Sequence, residues 1–161
     1  MVTVQWLCNY DRKVRLRYLE KLMQLPWSEL IKNREASHHS IRNITLHSLF
    51  VMYRLIEHVI QEKEIDQMDF DAYDSPEKFK EYMKRVDDLI EGFMSTLTDS
   101  EVGRMVQFRR MDGSVTLMTV EEVLLQAFTE QMYHRGEIIA LLWQMGVEPP
   151  PMQWFLNRPN T

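Results

Sequence analysis

The sequence predicts an all-α protein, a four-helix bundle with one small β-hairpin before its last long helix. Three observations predict it. Apolar residues recur at helical spacing in four long segments. Only five glycines and six prolines interrupt 161 residues, so long helices are expected. Alternation replaces the helical period at one place, where Val106-Gln107-Phe108 and Val115-Thr116-Leu117 flank Asp112-Gly113, a hairpin signal.

The first helix spans about Val4 to Gln24. Leu7, Val14, Tyr18, Leu22 and Leu25 form its apolar stripe, and Arg12, Lys13, Arg15, Arg17 and Lys21 its charged face. Pro26 ends it. The second runs from Ser40, a ready N-cap, to about Ile65, with Ile41, Ile44, Leu49, Val51, Leu55 and Ile56 on its apolar side. An acidic loop through Asp66, Asp69, Asp71 and Asp74 leads to Ser75-Pro76, an N-cap followed by an N1 proline. The third helix then carries Phe79, Met83, Val86 and Ile90. After the hairpin, Thr119-Val120-Glu121-Glu122 reads as a capping box, and the fourth helix runs to Met145 before Gly146. The tail, with Pro149-Pro150-Pro151, is expected to pack irregularly through Trp154 and Phe155.

The length fits one domain spanning 1–161. The net charge of −5 gives no electrostatic reason to expect nucleic acid or an anionic membrane as partner. No apolar run approaches the ~18 residues of a membrane span, and the N-terminus lacks a signal-peptide pattern. The single cysteine, Cys8, cannot form an intramolecular disulfide, so a reducing, cytoplasmic setting is expected. Cys8 lies in the apolar stretch Trp6-Leu7-Cys8 and reads as a packed thiol. The twelve methionines read as core filler.

The residues that could carry chemistry lie on two helices. Glu130 and His134 are four apart and share one helix face, with Leu124, Ala127, Ile138 and Leu141 placing much of that helix in the core. His47 sits mid-helix between Ile44 and Val51. A buried carboxylate beside a buried imidazole is costly unless paired or metal-bound. Two imidazoles and one carboxylate from facing helices make an open metal site. Spacing alone leaves the plainer readings open: an exposed Glu–His pair, and a core histidine held by a hydrogen bond. Arg54, two turns beyond His47, could hold an anionic group of a substrate or form a salt bridge; Phe50 and Tyr53 could line the pocket or pack the core. Arg135 reads as structural and His58 as too distant. His38 and His39 read as loop residues able to bind metal adventitiously.

Several stretches resemble the DinB-like (DinB/YfiT-like) superfamily. Ser40-Ile41-Arg42-Asn43-Ile44-Thr45-Leu46-His47 is similar to the signature that leads to the first metal histidine. Tyr133-His134-Arg135-Gly136-Glu137-Ile138 is similar to the "Y-H-R-G-Q-I" signature that carries the last one. Tyr10-Asp11-Arg12, the Thr119–Glu122 cap and the closing Pro-x-x-x-Phe-Leu pattern also fit, so the resemblance spans nearly the whole chain.

The resemblance implies a four-helix bundle of that type, often a homodimer, with one divalent metal ion held by His47, Glu130 and His134. The sequence departs from the family pattern at three positions. Glu130 stands where the family usually has histidine, Glu137 where it has glutamine, and Lys13 where it has an aromatic residue. The carboxylate hardens the ligand set, so zinc or nickel remains expected and iron or manganese gains ground. Characterised members of the family include thiol-dependent S-transferases, an isomerase and hydrolase-like proteins. The implied activity is attack of a metal-activated thiol or water on a small electrophilic substrate, with a low-molecular-weight thiol as a possible cosubstrate. The alternative is a non-catalytic metal-binding or stress-response dimer.

Overall fold

A computed structural model describes residues 3–110 and 112–153. The expected tail contacts of Trp154 and Phe155, and the closing Phe-Leu pattern, lie outside these residues.

Helix α1 (Val4–Leu22) starts where the Thr3 hydroxyl accepts from the Trp6 backbone N–H. A short helix α2 (Trp27–Ile31), not expected from the apolar spacing, follows Pro26. Ser40 caps α3 (Ile41–Arg54) by accepting from the Asn43 N–H. The expected second helix keeps its α-form only to Arg54 and continues as a π-helical turn (Leu55–Ile60). Buried Leu55, Ile56, Val59 and Ile60 keep that turn in the core. A 3₁₀ turn (Phe70–Ala72) sits in the acidic loop. Helix α4 (Pro76–Thr96) has the expected Ser75 cap and N1 proline. A short α5 (Asp99–Val102) precedes the hairpin.

The hairpin pairs β1 (Met105–Arg109) with antiparallel β2 (Val115–Thr119), Gln107 standing opposite Leu117. Gly113 takes φ +82° at the turn, a conformation that favours glycine. Helix α6 (Val120–Gln144) begins in the expected capping box: Thr119 and Glu122 each bond the other's backbone N–H. Among the described residues, no helix is long and apolar enough to cross a membrane.

Helix α3 is central. It packs against both α4 and α6, and α1 lies against α6 and α4. Val14, Ile41, Ile44, Leu46, Phe79, Val86, Val120, Val123 and Leu142 are fully buried where these four helices meet. Removing so much aliphatic surface from water holds the bundle together, at roughly 25 cal/mol per Å².

One ionic network crosses this core. Asp11, 1% exposed, accepts from Arg135 on α6 at 2.6 Å and from Arg15 at 2.8 Å. Arg15 and Arg12 both reach Asp87 on α4, and Arg12 continues to Glu91. Asp87 is drawn two ways: burial raises its pKa, but the two guanidinium groups outweigh this and hold it below the ordinary value. Arg135 therefore has the structural role expected of it.

Candidate metal centre

Three elements bring histidines together. α3 presents His47 one turn after the buried Ile44. α6 presents His134, 4% exposed, between the buried Gln131 and Ile138. The Gln131 amide donates to the Ser48 carbonyl at 2.5 Å, fixing α6 against α3 next to both rings.

The third histidine comes from the loop between α2 and α3. His39 takes φ +68°, uncommon for a non-glycine residue. Its N–H donates to the Ala36 carbonyl, and the Ser40 N–H donates to the His38 carbonyl. This turn sets the His38 ring against His47 with centroids 3.8 Å apart and planes nearly parallel. His134 meets His47 edge-on at 4.8 Å and His38 at 5.6 Å. Ligand-capable atoms of the three imidazoles all lie within 4.8 Å of one another, so His38, His47 and His134 could hold a metal ion.

Two carboxylates adjoin them. Glu137 is 2.8 Å from His134 Nδ1 and also accepts from the Ser37 hydroxyl at 3.0 Å. Burial works to raise the Glu137 pKa, but these two hydrogen bonds and the nearby imidazole hold it below its usual value. An ionised carboxylate only accepts, so His134 donates to it through Nδ1, which leaves Nε2 as the ring atom facing Glu130 and the cluster. Glu130 Oε2 lies 3.7 Å from that Nε2, and Glu130 Oε1 accepts from the Gln126 amide at 2.9 Å.

His47 and His38 favour the neutral form. Burial, followed by the neighbouring His38 and His134, lowers the His47 pKa to about 4. Burial, then His134, also lowers that of His38. Lone pairs are thus available at neutral pH, as a metal site needs. Imidazole sets of this kind suit zinc, nickel, copper or iron.

Of the residues expected from the sequence, His47 and His134 belong to this cluster, while Glu130 adjoins His134 without being one of its three ligand-capable groups. The structure adds His38, which the sequence placed only in a loop. Its place just before the Ser40 cap puts it near the start of α3, but its direction follows from the backbone at His39, which spacing does not encode. Phe50 and Tyr53 stack at 6.3 Å and line a pocket one turn along α3 from His47. Arg54 instead lines a separate groove with His58, Arg109 and Leu117 of the hairpin. Lys13 is exposed on α1. Cys8 is buried, and burial followed by the Asp11 charge pushes its thiol up to about 12, so the chain's own cysteine is a poor thiolate source.

A long-helix bundle with inward-facing histidines defines a class of helical metal-site proteins. The DinB family profile matches residues 1–159, and the chain belongs to that family. Two solved structures share the fold. A DinB-like protein from Bacillus cereus is 20% identical, with TM-score 0.64, covering 89% of this chain and 91% of its own. A DinB-like protein from Bacillus subtilis is 16% identical, with TM-score 0.62, covering 91% of this chain and 97% of its own. No curated protein matches the sequence.

Proposed function

We propose that this DinB-family chain is a metal-dependent enzyme that activates a thiol or water nucleophile for transfer to, or hydrolysis of, a small electrophilic substrate. The supporting observation is the convergence of His38, His47 and His134 in the bundle. These three would hold one divalent ion, zinc or nickel foremost, with iron or manganese as alternatives. Glu130 would supply a carboxylate to the same ion or to its nucleophile. A divalent ion there would lower the pKa of a bound thiol or water, so that the nucleophile exists near neutral pH.

The chain's own residues prepare that chemistry. Glu137 fixes the His134 tautomer, and Ser37 ties the same carboxylate to the His38 loop. The buried Cys8 leaves the thiol role to a low-molecular-weight cosubstrate. We place the protein in the cytoplasm, working as a homodimer.

The test is metal content by mass spectrometry on untagged protein, beside a His47→Ala/His134→Ala variant. Near one equivalent of metal in the wild type, lost in the folded variant, supports the reading and justifies a thiol-transfer screen. No metal in either, even after reconstitution with each ion, overturns it.

A second reading rests on the 3.7 Å approach of Glu130 to His134 Nε2. If Glu130 closes the coordination shell as a fourth protein ligand, the site is structural and the protein is a non-catalytic metal-binding or stress-response bundle. A metal that exchanges no water ligand would mark that case.

A further inference from the structure

Beside the histidine cluster, a pocket of about 230 Å³ opens between α3, α4 and the loop bearing the 3₁₀ turn. It is close to the site. Phe50 on its wall is one turn along α3 from His47, and Phe70 of the same loop sets its ring 6.1 Å from His38. The volume is below the ~300–1,000 Å³ of common ligand pockets, which restricts it to a single-ring molecule.

Four aromatic rings line the pocket, beside the polar Asp66, Gln67, Asp69 and Arg85. Phe50 and Tyr53 stack on one side; Tyr73 and Tyr82 meet at 4.7 Å on the other. Arg85 lies over the Tyr82 ring at 5.1 Å and donates weakly to the Tyr73 hydroxyl at 3.4 Å. Arg85 forms no ion pair among the described residues, although its neighbours on α4 do: Lys84 holds Asp88, and Lys78 holds Asp74. A guanidinium held on an aromatic face without a carboxylate is ready to receive one. The Tyr82 hydroxyl is buried and has no hydrogen-bond partner among the described residues. Such a donor is costly unless an acceptor reaches it. Asp66 and Asp69 also line the pocket and repel negative charge, so a carboxylate is held only where it meets Arg85, the one cationic residue of the lining.

We propose that this pocket binds a small aromatic acid with a single carboxylate, its ring among Phe50, Tyr53, Tyr73 and Tyr82 and its carboxylate on Arg85. Only the acid's role as substrate rests on the metal-dependent reading above; the binding does not.

Titration calorimetry with phenylacetate tests the pocket, with phenethylamine as a ligand of the same ring and opposite charge. Arg85 is exposed, so Arg85→Met should fold, and circular dichroism checks that it does. Saturable phenylacetate binding to the wild type, weakened at least tenfold in Arg85→Met and absent for phenethylamine, is the expected result. No binding to the wild type, equal binding to Arg85→Met, or equal binding of phenethylamine overturns the proposal. Metal content is read on the same samples. A wild type that stays metal-free even after reconstitution with each ion, yet binds phenylacetate through Arg85, overturns the metal centre and upholds the pocket.

Discussion

Glu137 accepts from His134 Nδ1 at 2.8 Å and from Ser37 at 3.0 Å, so one carboxylate joins a helix-borne histidine to the loop that carries another. Partners of this kind are typically worth ~10–100-fold in metal affinity. Glu137→Ala should therefore weaken zinc binding by about that factor in a chelator competition. Glu137→Gln keeps an acceptor and should lose less. Affinity unchanged in the alanine variant would rule out the orienting role.

His38 and Glu130 compete for the place of third ligand. His38 belongs to the cluster whose ligand atoms lie within 4.8 Å, whereas one Glu130 oxygen is already occupied by Gln126. His38→Ala should therefore reduce metal occupancy more than Glu130→Ala does. The reverse order, read by mass spectrometry of folded variants, would make Glu130 the stronger ligand.

The metal-free protein should be acid-sensitive. The folded-state pKa of His47 is lowered from 6.5 to about 4. Between those values the unfolded chain takes up a proton that the folded chain refuses, so stability falls as pH drops from 6.5 towards 4 and is unaffected above 6.5. Urea midpoints at pH 7 and pH 5 measure the loss. It should shrink in His47→Phe; an undiminished loss would place the titrating group elsewhere.

Asp11 is 1% exposed and bonded to two arginines. Asp11→Ala leaves Arg135 buried without its carboxylate and should cost about 3–5 kcal/mol. The double variant Asp11→Leu/Arg135→Met should regain much of this in urea denaturation. If the double variant is as unstable as the single, the cost lies in packing and not in the orphaned charge.

Cys8 should resist alkylation in the folded protein, because its thiol is buried and its pKa is pushed up to about 12. Iodoacetamide labelling at pH 8 should need denaturant. Rapid labelling of native protein would mean that α1 opens readily.

Long elements and their caps were legible in the sequence because local chemistry sets them. Ser40, Ser75 and the Thr119–Glu122 box start their helices as expected, and Gly146 adopts φ +70° beyond the last. Helix α2, the 3₁₀ turn and α5 were not legible; at five, three and four residues they are too short to show a period. The π-helical turn escaped for a different reason: its apolar pattern runs on from α3 while only the backbone bonding changes. His47 and His134 were legible from helical faces. His38 was not, since its direction depends on the left-handed backbone at His39, and neither spacing nor periodicity encodes that.

The Asp11–Arg135 pair has a consequence for helix alignment. Both groups are buried, and they meet from α1 and α6 at 2.6 Å. The aliphatic residues around them would tolerate other offsets between the two helices, because oily contacts are not directional. A slip of one turn, about 5.4 Å, would strand the buried Arg135 away from its carboxylate, while Asp11 would keep only Arg15 of its own helix. The pair thus acts as a vernier mark: it singles out one axial setting of α6, and with it the height at which His134 meets His47.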